Sequence, residues 1–158
     1  MVGGGITSAS ISALLKGQKN VQVSIWDKAR GAGGRMSTSR SSNIPECQAD
    51  LGAQYISVKP EFEKSHQTIY EELLKDNLIS LYTNPVENEH HSEGTKHYVA
   101  KKGTASIVKH FFEKSGITPQ FNQHVNEISL TEDQKWQVST QVHQNSLIFS
   151  SQNLNFTF

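Results

Sequence analysis

Hydrophobic and polar positions change period several times along the chain, and each change predicts an element. After Met1-Val2 and the three glycines Gly3, Gly4 and Gly5, residues 6–16 place Ile6, Ala9, Ala13 and Leu14 near one face of a helix. Gly17 follows in the C′ position that closes such a helix. Val21, Val23 and Ile25 alternate with Gln22 and Ser24, which is strand spacing. Residues 28–43 lose all period and form a loop of glycine, serine and arginine. Asp50 to Ile56 predicts a bend of small residues leading into a short strand. Pro60 opens a helix as its first residue, with Phe62, His66, Ile69, Tyr70, Leu73 and Leu74 as its apolar stripe. His66 on that stripe is expected to be packed and hydrogen-bonded. Residues 79–82 and 97–100 are short strands around a polar connection. Residues 104–115 predict a helix with Ile107, Val108, Phe111 and Phe112 inward, His110 on its surface and Gly116 as its C-cap. Val125 to Leu130 and Lys135 to Ser139 alternate as a hairpin across Thr131-Glu132-Asp133-Gln134. Residues 141–158 carry scattered Leu147, Ile148, Phe149, Phe156 and Phe158 among Gln, Asn and Ser, and no period predicts an element there.

Composition narrows the class. A length of 158 residues suits one domain or an incomplete piece of a larger one. Lys plus Arg equal Asp plus Glu at 15 each, so no global field draws nucleic acid or an anionic membrane. The single cysteine, Cys47, leaves no disulfide framework or cysteine-based zinc site within the chain, which suits a reducing, cytoplasmic setting. No apolar run approaches the roughly 18 residues of a membrane span, and no signal peptide is readable. The connection from Glu87 to His97 holds Glu87, Glu89, His90, His91, Glu93 and His97. Imidazole and carboxylate are metal ligands, but the spacing matches no structural zinc pattern, and a solvated loop without metal is expected.

The candidate chemistry lies at the start. A glycine turn, a helix, a strand and an acidic residue follow in the order of a dinucleotide-binding βαβ unit. Gly3 permits a tight turn, and Gly5 lets a pyrophosphate approach the backbone. Amides and the dipole at the helix start favour negative charge there. Asp27 lies 22 residues after Gly5, near the roughly 20 expected of a carboxylate that accepts from ribose hydroxyls. Ser8 stands at the third glycine position, and only Met1 and Val2 precede the turn as a first strand. Gly31-Ala32-Gly33-Gly34-Arg35-Met36 is either a surface loop with solvated arginines or a second cofactor loop carrying the Arg35 cation. Gly52 and Ala53 keep the chain thin, and Gln54 offers both a donor and an acceptor.

Val2-Gly3-Gly4-Gly5-Ile6-Thr7, Trp26-Asp27-Lys28 with Gly33-Gly34-Arg35-Met36, and Ala49-Asp50-Leu51-Gly52-Ala53-Gln54-Tyr55-Ile56 stand in one order. Together they resemble the N-terminal part of the renalase family, FAD-dependent members of the amine-oxidase-like flavoproteins. The resemblance runs to about Ser139 and includes Ile107-Val108-Lys109-His110 and the strands around Val125 and Trp136. It implies an α/β fold: an incomplete Rossmann-like FAD-binding fold with the start of an α+β substrate domain. Residues 1–58 and 104–140 would belong to the FAD-binding domain, 59–103 would begin the substrate domain, and 141–158 form a divergent tail. On this likeness Gly3, Gly5 and Thr7 line the FAD phosphates and Asp27, with Lys28 beside it, holds the adenosine ribose. Gly34, Arg35 and Met36 form the second flavin loop. Gln54 and Tyr55 lie beside the isoalloxazine, and Val125 meets the adenine through its backbone.

The resemblance further implies oxidation of dihydro isomers of NAD(P)H, with hydride passing to the flavin and O2 as final acceptor. The family is also described as amine oxidases and as extracellular. Residues facing the substrate are not named by the pattern. The tail, the clipped first strand and the absence of a C-terminal flavin motif fit a truncated or alternatively ended product. Three functions follow in order: a renalase-type flavin oxidoreductase, an inactive fragment that acts by binding a partner, and a nicotinamide-dependent Rossmann dehydrogenase.

Overall fold

The computed structural model describes residues 1–44, 46–84 and 93–140, with the backbone of 147–149. Among them are three helices, α1 (Ile6–Leu14), α2 (Pro60–Lys75) and α3 (Ala105–Ser115). The strands are β1 (Thr38–Arg40), β2 (Gln48–Asp50), β3 (Ile56–Val58), β4 (Ile79–Tyr82), β5 (Lys96–Ala100), β6 (Val125–Leu130), β7 (Trp136–Thr140) and β8 (Leu147–Phe149). The fold is mixed α/β.

Three antiparallel sheets form: β1-β2, β3-β5-β4 and β6-β7-β8. A fourth set of pairings is parallel and minimal. Trp26 bridges Val2 on one side and Gln120 on the other. Gly3 N–H donates to the Trp26 carbonyl at 2.7 Å, and Asp27 N–H donates to the Gln120 carbonyl at 3.0 Å. This is the order of a Rossmann unit reduced to single rungs, with the segment at Trp26 between the first and third.

The core lies between this parallel set and the helices. Ile25, Ala9, Ile107, Val108, Phe111, Phe112, Leu73 and Ile79 bury together. α1 packs directly on α3. The inward face foreseen for α3 is the observed one, and Gly116 closes it at φ 75° in the left-handed region. Gln134 takes φ 58° in the β6–β7 turn, where Leu130 faces Trp136 across the ladder.

Several expectations are corrected. Val21–Ile25 alternates as expected but forms no regular strand; the β-bridges are made by Trp26 just beyond it, to Val2 and Gln120. In α1 the buried residues are Ser8, Ala9 and Ser12, while Leu14 is exposed. Small side chains allow α1 to approach α3, and the hydroxyls of Ser8 and Ser12 are satisfied by the carbonyls of Gly3 and Ser8. Of the stripe on α2 only Leu73 is buried; Phe62, Ile69 and Leu74 stay exposed. His66 is likewise exposed, between the rings of Phe62 and Tyr70 at 6.1 and 6.3 Å. His110 is half-buried and bonded to Glu72 at 3.0 Å, because α3 turns that face toward α2. The loop over 28–43 contains β1, paired with β2 through Thr38↔Asp50. β8 adds to β7 in the stretch for which no element was predicted. Glu87, Glu89, His90 and His91 lie outside the described residues, as does most of 141–158. His97, from the same polar connection, is a buried strand residue beside Tyr55 and Ser57.

Candidate functional site

The site is built where the glycine turn, the start of α1 and the second glycine loop meet. Gly3 takes φ 101°, which a side chain would strain, and the space beside it is open. Gly5 is the N-cap of α1 and supplies no side-chain cap; no acidic residue occupies the first turn. The amides of Ile6, Thr7 and Ser8 thus begin the helix with no backbone partner among the described residues. They form a partial positive charge at the mouth of the cleft.

Asp27 holds this turn. Its Oδ2 accepts the Gly4 N–H at 2.5 Å and its Oδ1 accepts the Ala29 N–H at 2.7 Å. A Cβ on Gly4 would sit 3.2 Å from that carboxylate and from the Phe121 ring. The carboxylate therefore fixes the geometry of the glycines as well as facing the cleft. Each oxygen retains a lone pair for a further donor.

The second loop closes the other side. Gly33 N–H donates to the Gly4 carbonyl at 3.0 Å, and Gly34, at φ 57°, would bring a Cβ to 3.6 Å from the Gly5 Cα. The loop is braced from behind by the motif around Asp50. Ala53 and Leu51 N–H groups donate to the carbonyls of Arg35 and Ser37, both at 2.9 Å. A Cβ on Gly52 would lie 2.2 Å from the Arg35 carbonyl oxygen, so only glycine fits there. Asp50 Oδ1 accepts from Thr38 Oγ1 at 2.6 Å, Thr104 N–H at 2.8 Å and Thr104 Oγ1 at 3.0 Å. Asp50 thereby ties β1, β2 and the start of α3 into one support.

These elements enclose a cleft of about 330 Å³ lined by Val2, Gly3, Gly5, Ile6, Thr7, Ser8, Asp27, Gly33, Gly34, Arg35 and Met36. Of the residues singled out by sequence, it gathers Gly3, Gly5, Thr7, Asp27, Gly34, Arg35 and Met36. Lys28 is exposed beside Asp27 and does not line it. Gln54 and Tyr55 are exposed just beyond the brace at Ala53. Val125 starts β6, two residues past Gln123, whose N–H donates to the Asp27 carbonyl at 2.9 Å. Sequence reasoning missed the support formed by Asp50, Gly52 and Thr104. Gly52 was noted for thinness, but nothing local shows that Arg35 passes behind it.

A second titratable cluster joins α2 and α3. Glu72 accepts from Lys114 Nζ at 2.5 Å and pairs with His110 Nε2 at 3.0 Å, with Asp76 at 3.7 Å from the same nitrogen. The bond from Lys114, then that from His110, holds the Glu72 carboxyl below its ordinary range. Glu72, Asp76 and His110 have a spacing that could hold a metal ion, but the Lys114 ammonium already supplies the cation.

Comparison with known proteins agrees with this geometry. Residues 1–73 match the model of the NAD(P)-binding Rossmann-like domain. Renalase of Mus musculus is 40% identical over 142 residues, 89% of this chain and 41% of that protein. The chain thus spans under half the length of that relative. Among solved structures, the tetracycline destructase Tet(51) superposes with TM-score 0.53 at 14% identity, over 94% of this chain and 35% of its own. The Diels-Alderase PyrE3, from the biosynthetic pathway of pyrroindomycins, gives TM-score 0.55 at 13% identity, over 94% and 30%. At such identities these two speak for the fold alone. No helix among the described residues is long and apolar enough to cross a membrane. Residues 1–73 thus match an NAD(P)-binding Rossmann-like domain, in a chain whose sequence is similar to mouse renalase over 89% of its length.

Proposed function

We propose that the cleft between the two glycine loops receives the diphosphate and adenosine ribose of FAD, and that the chain derives from a renalase-type flavin oxidoreductase. The observation that supports this most is the convergence of Gly3, Gly5, Thr7, Asp27, Gly34 and Arg35 on one cleft at the start of a helix. The donor set suits the group. Open amides and the Arg35 guanidinium complement a diphosphate, and the Asp27 carboxylate complements ribose hydroxyls. A cleft of about 330 Å³ takes this middle part of a dinucleotide, with the rings beyond it. Lys28 would stand at the ribose end, Val125 toward the adenine, and Gln54 and Tyr55 toward the flavin ring.

FAD, when bound, supplies a hydride acceptor that O2 can reoxidise, and the substrate class is a dihydro isomer of NAD(P)H. The chain's own residues would bind and orient the cofactor; Asp27 and Asp50 would hold the two loops at the right separation. Residues 1–58 and 104–140 would form the FAD-binding part, and 59–103 would begin the substrate part.

The test is the absorption spectrum of the purified chain after incubation with FAD and desalting. A retained flavin band near one per chain supports the reading, and no retained flavin overturns it for this chain. Titration with NADH under the same conditions distinguishes a nicotinamide-dependent dehydrogenase. A second reading, an inactive module that acts by binding, is favoured by the exposed stripe on α2.

A further inference from the structure

The register of sheet β3-β5-β4 assigns its side chains to two faces. Ile56, Tyr98 and Leu81 are cross-strand partners, as are Ile79 and Ala100. Their face meets α2 and the core, where Tyr98 stacks on Tyr70 at 5.6 Å and Ile79 is buried. Ser57, His97 and Tyr82 are partners on the opposite face, because successive residues of a strand alternate. Tyr55 stands just before β3, two residues ahead of Ser57, and its ring meets His97 on that second face. The ring centroids are 5.3 Å apart and the planes cross at 89°, an edge-to-face contact.

The two partners differ in freedom. His97 is 6% exposed, and its Nδ1 is hydrogen-bonded across the strands to Ser57 Oγ at 3.0 Å. A buried ring tied at one nitrogen keeps one orientation. Tyr55 is 40% exposed, and a ring so open exchanges between rotamers unless something holds it. Its backbone is held from the other side, where the Ala53 N–H donates to the Arg35 carbonyl at 2.9 Å. Tyr55 thus has its backbone anchored on the second glycine loop and its ring anchored on the sheet.

We propose that His97 is a positioning residue for the flavin end of the site. It fixes the Tyr55 ring where the isoalloxazine is expected, and Ser57 fixes His97. The proposal rests on the reading that the cleft takes FAD. It differs from a purely packing role, in which His97 fills the sheet face and loss of the imidazole leaves the flavin's surroundings unchanged.

The experiment uses the full chain with and without FAD. Without FAD, the ring-proton resonances of Tyr55, assigned through Tyr55→Phe, report the contact. His97→Leu, of similar bulk, should move them toward those of a free tyrosine. With FAD, the visible circular dichroism of the isoalloxazine reports how its neighbours are placed. His97→Leu should weaken that band by about twofold or more, since a freed ring spreads over several staggered wells, while flavin per chain stays as in the wild type. Tyr55→Ala should give the same loss and the double variant no further loss, because His97 acts through Tyr55. Ser57→Ala leaves the imidazole in place and should shift both signals in the same direction by less; it carries the test if His97→Leu does not fold. An unaltered band in the folded variant, or losses that add in the double variant, overturns the proposal and leaves the FAD reading standing. A wild-type chain that retains no flavin overturns both.

Discussion

At the scale of single residues, Gly52 and Asp27 show how backbone and chemistry are joined. Gly52→Ala would force a methyl into the Arg35 carbonyl, 2.2 Å away, and should cost about 2–4 kcal/mol, read as a lowered midpoint in urea unfolding. Asp27 has two tasks, so its variants separate. Asp27→Ala removes the acceptor for the Gly4 and Ala29 amides and should cost about 1–3 kcal/mol of stability as well as flavin affinity. Asp27→Asn keeps one amide oxygen for Gly4 but loses the charge-assisted acceptor; it should keep most of the stability and lose more of the FAD affinity. Equal losses of folding and binding in Asp27→Asn would remove the ribose contact from the proposal. Arg35→Ala should lower flavin retention without lowering stability, because its backbone, not its guanidinium, braces the loop.

At the scale of elements, α3 is the hub. Its inward face was legible because Ile107, Val108, Phe111 and Phe112 repeat at helical spacing and Gly116 follows them. Its supports were not legible, since Asp50 is 54 residues from Thr104 and Glu72 is 42 from Lys114. No local pattern encodes such pairs. Asp50→Ala should cost about 1–2 kcal/mol through loss of the cap on α3 and loosen the second glycine loop, seen as faster exchange of the Ala53 amide. Glu72 links α2 to α3, and its carboxyl pKa is lowered in the fold by Lys114 and His110. That contribution is complete above the ordinary glutamate pKa of about 4.3 and is lost as pH falls through the lower folded value. Glu72→Gln should therefore reduce stability by about 0.5–1 kcal/mol at neutral pH and flatten the acid limb of the stability profile below about pH 4. An unchanged acid limb would show that Glu72 is not linked to folding. The stripe on α2 went the other way: it has helical spacing, yet only Leu73 is buried and Tyr70, stacked on Tyr98, is partly covered.

At the scale of the whole molecule, the parallel sheet is reduced to bridges, and stability rests on the contact of α1 with α3 and on three small antiparallel sheets. Large apolar side chains remain exposed on several faces, among them Leu14, Phe62, Ile69 and Trp136. Such a chain should associate as its concentration rises, and Trp136→Lys should reduce that tendency in sedimentation velocity. A ligand that binds the folded state adds stability by mass action. FAD at 100 times its dissociation constant should add about 2.7 kcal/mol to the unfolding free energy, and an unchanged melting temperature at saturating FAD would contradict a site in this chain.

The sequence by itself determined the glycine turn, the carboxylate at Asp27, the helix closed by Gly116 and the hairpin, because each depends on local conformational preference or on a short repeat; α1, by contrast, ends at Leu14 with Leu15 as its C-cap, ahead of Gly17. It also carried the likeness to renalase, because three motifs stood in one order. Only the tertiary structure decided that the Asp27 carboxylate holds the glycine turn, that Gly52 passes beneath Arg35 and that Asp50 accepts from the start of α3. Those facts depend on which distant backbones come within a few ångströms, and spacing along the chain does not contain that distance.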